Sequence, residues 1–141
     1  MKKHILVPWL AVLVVMLVLD ALWLGVIARS LYAQAIGHLM AESPDLVAAA
    51  VFYPLYAAGL TVFGVRPREA APPAWPAAMR SGALFGFFAY ATYDLTNLAT
   101  LKDWPVGIAL IDMAWGTLVS GASAAAGSRA LRRQARSARA P

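Results

Sequence analysis

Four apolar stretches follow one another along the chain, at residues 5–28, about 46–65, about 82–101 and about 104–127. Each comes close to the roughly 20 residues with which a helix crosses a hydrocarbon core of about 30 Å. Soluble core helices need far fewer consecutive apolar positions. The pattern therefore predicts an all-α integral membrane protein, an antiparallel bundle of four transmembrane helices. Lys2 and Lys3 ahead of the first stretch suggest a secretory leader, but the stretch is too long for one and contains Asp20. It is read as a retained helix.

The intervals between the stretches carry their own signals. Within residues 30–43, Leu31, Tyr32, Ala35, Ile36 and Leu39 recur on one side while Gln34 and His38 fall elsewhere, which predicts a short helix lying in the membrane interface. Residues 66–76 hold Pro67, Pro72, Pro73 and Pro76 and are read as the one true connector loop, because proline removes a backbone donor and clashes with the preceding turn. Asp103, Trp104 and Pro105 predict a tight turn, with Pro105 in the first turn of the last helix.

Composition agrees with a lipid solvent: 61% of the residues are hydrophobic and only 13% charged. With no cysteine there is no disulfide framework, thiolate metal site or cysteine nucleophile. Ten of the twelve lysines and arginines fall on one side of a four-crossing arrangement, leaving only Arg29 and Lys102 on the other. Because basic residues are retained on the cytoplasmic side, both termini are expected there. Residues 1–127 are read as a single four-crossing domain and residues 128–141 as a basic cytoplasmic tail without a fold of its own. That tail has no aromatic residue, so anionic headgroups account for it and no nucleic-acid partner is expected.

Three carboxylates inside the stretches carry the candidate chemistry. Asp20, Asp94 and Asp112 lie in the first, third and fourth, and no Lys, Arg or His lies in any of the four. Insertion of one aspartate at mid-membrane costs about 2.5–3.5 kcal/mol, so a compensating arrangement is required. Counted along the helical rise, the three sit roughly 13 Å, 10 Å and 12 Å from the outer ends of their helices, one common level. Tyr53, Pro54 and Tyr56 of the second stretch reach the same depth, and Pro54 leaves the Ala50 carbonyl free as an acceptor. Three like charges in a dry layer cannot all stay ionised, so at least one of the aspartates is expected to hold a proton.

The spacing around each aspartate sharpens the site. Trp23 follows Asp20, Asn97 follows Asp94 and Trp115 follows Asp112, each at i+3 on roughly the same helix face as its carboxylate. Ala109 and Gly116 flank Asp112 with small side chains, and Gly82 and Gly86 begin a stripe that continues through Tyr90, Tyr93 and Asn97. Small residues of this kind let a neighbouring helix approach closely. The expected solute- or proton-binding layer is therefore Asp20, Trp23, Tyr53, Tyr56, Tyr90, Tyr93, Asp94, Asn97, Asp112 and Trp115.

The segments LDALWLG (19–25), YPLYAAGL (53–60), GFFAYATYDLTN (86–97) and IDMAWG (111–116) resemble the bacterial predicted-membrane-protein family known as domain of unknown function 2177. The resemblance covers the chain to about Gly127. It implies four crossings of a bacterial inner membrane and no assigned reaction, so function rests on the residues.

Three function classes fit them. In the first, the acidic and aromatic layer binds a small cationic or polar solute and exchanges it for protons, with a second copy of the chain expected because four short helices enclose little space. In the second, the aspartates act on a lipid or isoprenoid as acid and base, or through a hard cation such as Mg²⁺ or Mn²⁺. In the third, the polar layer only fixes helix register in an accessory or assembly protein. No cofactor and no resident metal are assigned. The chain has no HxxxH or DDxxD motif, and His4 and His38 lie outside the stretches, which leaves a haem or di-iron site without a ligand.

Overall fold

The computed structural model describes residues 3–65 and 72–139, and every regular element among them is helical. Helix α1, Lys3–Leu22, continues into a π-helical turn at Trp23–Ile27. Helix α2, Arg29–Ile36, follows at once and ends in a 3₁₀ turn at Gly37–Leu39. Helix α3 covers Leu46–Leu60 and runs into a second π turn at Thr61–Val65; helices α4, Trp75–Thr100, and α5, Val106–Ser137, complete the chain.

Local chemistry sets several of these boundaries. Asp45 caps α3 by accepting the backbone N–H groups of Val47 and Ala48 at 2.9 and 3.0 Å. Pro76 falls inside the first turn of α4, where its missing N–H is not needed, so the end of the expected connector is already helical. The rest of that expected loop, residues 66–71, lies outside the described residues. Asp103 takes a left-handed φ of 60° in the turn before α5, a conformation that aspartate tolerates better than most residues. Pro105 is the N-cap of α5 instead of a member of its first turn.

Three described segments are long and apolar enough to cross a membrane: Ile5–Ile27, Leu46–Val65 and Val106–Ser137. Helix α4, with 26 residues, has the length but not the apolarity, since Arg80, Thr92, Asp94, Thr96 and Asn97 dilute it. Of these polar residues only Asp94 is buried, while Arg80, Thr92 and Thr96 are exposed. Gly82, Gly86 and Asp94 are buried, whereas Leu84, Phe88 and Leu95 face outward. Large apolar side chains are exposed on the other helices too, among them Val14, Val18, Leu55, Phe63 and Leu118. A surface of this kind suits lipid, which has no preference for polar groups.

Small residues make the closest packing. The most extensive contact joins α4 to α5, and the next joins α1 to α5. A Cβ at Gly86 would stand 2.1 Å from the Gly116 carbonyl oxygen, and one at Gly116 would stand 2.2 Å from the Tyr90 ring. Neither position has room for a side chain, so the two backbones touch. Further along α5, Gly127 lies against Val12 and Val65. The helix does not stop there. Leu131 joins the core cluster of Val12, Leu60 and Val65, Ser128 donates to the Pro73 carbonyl at 2.7 Å, and Arg129 stacks over the Trp75 ring at 4.7 Å. The segment read as an unfolded tail is thus helical as far as Ser137, because its first turns have partners in α1, α3 and the start of α4.

Gly86→Val is expected to lower stability by about 3 kcal/mol or more by forcing α4 and α5 apart. Gly107→Ala, whose new methyl meets nothing within 4 Å, is expected to leave it unchanged or slightly raised. Thermal unfolding of the two purified variants in detergent checks the contrast.

Candidate functional site

The last full turn of α1 and the second turn of α5 bring two carboxylates to one cavity. Asp20 is 3% exposed and Asp112 9%, and both line a partly open cavity of about 230 Å³. Its other polar-tipped walls are Tyr32, Tyr90, Tyr93, Trp104 and Trp115. Leu24 and Ile36 complete the lining with apolar surface.

The two carboxylates exchange partners between helices. The Trp115 indole N–H of α5 donates to Asp20 Oδ1 at 2.9 Å, and the Tyr53 hydroxyl of α3 is within hydrogen-bonding reach of the same group. Asp112 Oδ1 accepts from the Tyr32 hydroxyl of α2, whose oxygen in turn receives the Trp23 indole N–H at 3.3 Å. The rings of Trp23 and Trp115 stack between these two systems, with centroids 4.5 Å apart and planes 7° from parallel. Trp115 thus serves Asp20 directly, and Trp23 reaches Asp112 through the Tyr32 hydroxyl. Neither indole N–H bonds to the aspartate three residues before it: that of Trp23 goes to Tyr32 and that of Trp115 to Asp20. The π turn begins at Trp23 itself, with Ala28 N–H donating to the Trp23 carbonyl at 2.7 Å, and it hands the chain directly to α2.

Tyr32 was placed by its pattern at the membrane interface, but the structure buries it. Burial, reinforced by the Asp112 carboxylate, pushes its phenol well above the ordinary tyrosine range, so Tyr32 stays protonated and remains a donor.

Asp94 is handled differently. It is 0% exposed, lies outside the cavity lining, and neither of its oxygens meets a hydrogen-bond partner among the described residues. Asn97, its expected partner, sits with Tyr93 instead. The Asp112 carboxylate is the charge that Asp94 feels most.

Of the ten residues expected in the layer, Asp20, Tyr90, Tyr93, Asp112 and Trp115 line the cavity, and Tyr53 and Trp23 bond to lining groups. Tyr56 stands one step back: it shares a 2.8 Å hydrogen bond with Ser120 and meets Tyr90 edge to face. Asp94 and Asn97 lie apart. Pro54 contributes its own carbonyl, which accepts the Trp9 indole N–H at 3.2 Å. Tyr32 and Trp104 were missed. Tyr32 is separated from Asp112 by 80 positions, and its one signal was a polar tip on the apolar side of the interfacial segment. Among the described residues no three His, Cys, Asp or Glu side chains gather as a metal-ligand set.

Residues 5–129 match the model of a predicted membrane protein family, DUF2177. The chain belongs to that family. No curated protein and no solved structure matches it. Membership in DUF2177 establishes a membrane protein and names no reaction, so the chemistry of this member is read from its cavity.

Tyr32→Phe removes the donor to Asp112 and the acceptor for Trp23 together, and is expected to cost about 1–3 kcal/mol. Trp23→Phe keeps the ring stack and the Tyr32–Asp112 bond and is expected to cost less. Melting temperatures of the two variants, measured side by side, test whether Tyr32 is the joint of the network.

Proposed function

We propose that the cavity binds a small organic cation and that the protein moves it across the bilayer in exchange for protons. One observation carries this reading: two carboxylates from separate helices line one aromatic-walled space, and no basic residue lies in the apolar stretches to neutralise them. A cation supplies the missing charge. The faces and edges of Tyr90, Tyr93, Trp104 and Trp115 add cation–π attraction, worth about 2 kcal/mol where water is excluded. A volume of about 230 Å³ suits a compact ammonium better than a long acyl chain. This favours a solute over a lipid substrate.

In this reading α4 is the fourth crossing of an antiparallel four-helix bundle. Its buried Gly82, Gly86 and Asp94 turn toward α5, and its outward Leu84, Phe88 and Leu95 supply the lipid-facing side that its average composition hides. Both termini then lie on the cytoplasmic side of a bacterial inner membrane, where the basic residues are retained.

Tetramethylammonium and ethylammonium are expected to bind the purified protein and to change the fluorescence of the stacked indoles, while neopentyl alcohol, of similar shape and no charge, does not. Asp20→Asn and Asp112→Asn should each weaken that binding at least tenfold, about 1.4 kcal/mol, by calorimetry. Equal binding of the neutral compound, or no binding at all, overturns the reading.

Orientation is checked separately. Because the chain has no cysteine, a maleimide that cannot cross membranes should label Ser43→Cys in intact cells and Ser137→Cys only after permeabilisation.

A further inference from the structure

Two of the three buried aspartates are held as hydrogen-bond acceptors, and the third is not. Asp20 accepts from Trp115, and Asp112 accepts from Tyr32, so each has a donor that stabilises the anion. Asp94 has no donor among the described residues and no exposure to solvent. A bare carboxylate in such a place is costly, and the charge that acts on it is that of another carboxylate, Asp112. The other titratable groups that face it are the hydroxyls of Tyr32 from α2 and Tyr93 from α4 itself. None of these can serve as its counterion.

This points to a division of labour in which the hydrogen-bonded pair receives the cation and the bare carboxyl receives the proton. We propose that Asp94 carries an exchangeable proton and releases it when a cation occupies the cavity beside Asp112, so that one cation is exchanged for one proton. The inference rests on the cation-binding reading above and adds the group that makes exchange obligatory.

The balance is simple. In the empty protein Asp94 is a carboxylic acid. When the cation arrives, its O–H bond breaks, the electron pair stays on the carboxylate oxygen, and the proton leaves for water. One positive charge enters the buried layer and one departs, so its net charge is unchanged. That condition favours the exchange, since Asp94 and Asp112 cannot both be anionic in a dry setting until a cation occupies the cavity beside Asp112. Deprotonation before the cation arrives would leave two facing anions. Retention of the proton afterwards would leave the buried layer one positive charge richer than in the empty protein.

The test uses the full-length protein in detergent, in weakly buffered solution near neutral pH, with tetramethylammonium chloride as probe and a pH-indicator dye as readout. Wild type should release close to one proton per cation bound. Infrared difference spectra should show loss of a protonated-carboxyl C=O band on binding. Asp94→Asn should bind with no proton release and lack that band when empty. Asp94→Glu, which keeps a carboxyl at the position, should restore the release and serves if the asparagine variant does not fold. Binding by wild type without proton release overturns the assignment while leaving the cation site intact. So does an Asp94→Asn protein that releases as many protons as wild type. Absence of binding by wild type removes the cation site and the exchange together.

Discussion

Carboxyl groups buried without a basic counterpart among the described residues are the constraint that organises this molecule. Apolar side chains cover the outer faces of the helices, so the polar groups have only one another to turn to. The chain answers by letting separate helices satisfy each other's carboxylates, indole to Asp20 and phenol to Asp112, across a pair of stacked tryptophans. That exchange joins α1, α2 and α5 in one network. Breaking any member leaves a buried acceptor or donor unmet, which costs more than the bond itself contributes.

Close backbone contact is the second requirement, and glycine meets it. The approach of α4 to α5 at Gly86 and Gly116 is what allows Tyr90 to lie flat against α5 and places Asp94 within the field of Asp112. A bulkier pair at this point would widen the interface and admit lipid or water to the carboxylates. Packing and electrostatics are therefore one problem here: the same small residues that bring the helices together also create the low-dielectric setting in which the aspartates lie.

The fate of the individual aspartates shows why residue type alone does not assign a role. All three belong to apolar stretches at similar estimated depth, yet two border a cavity and one is fully buried outside its lining. Family membership adds the membrane character of the chain and leaves the reaction open, so the distinction between hydrogen-bonded and bare carboxyls is the most informative chemistry that the fold displays.

Hydropathy along the chain dictated most of the architecture, because crossing lengths and helix-breaking prolines act locally. Three of the apolar stretches and the short helix after the first of them were legible from residue order, whereas the polar positions of α4 dilute the remaining stretch. Helix ends were less so: Pro76 enters α4 and α5 continues to Ser137, since capping and long-range packing at Leu131 and Ser128 outweigh composition there. What no local pattern contained was the choice of partners. Trp115 bonds to Asp20 across 95 positions and Tyr32 to Asp112 across 80, while Asp94 loses the neighbour that its spacing offered. Helical periodicity tells which face a side chain shares with its own helix; only the packing of one helix on another decides which donor its tip can reach.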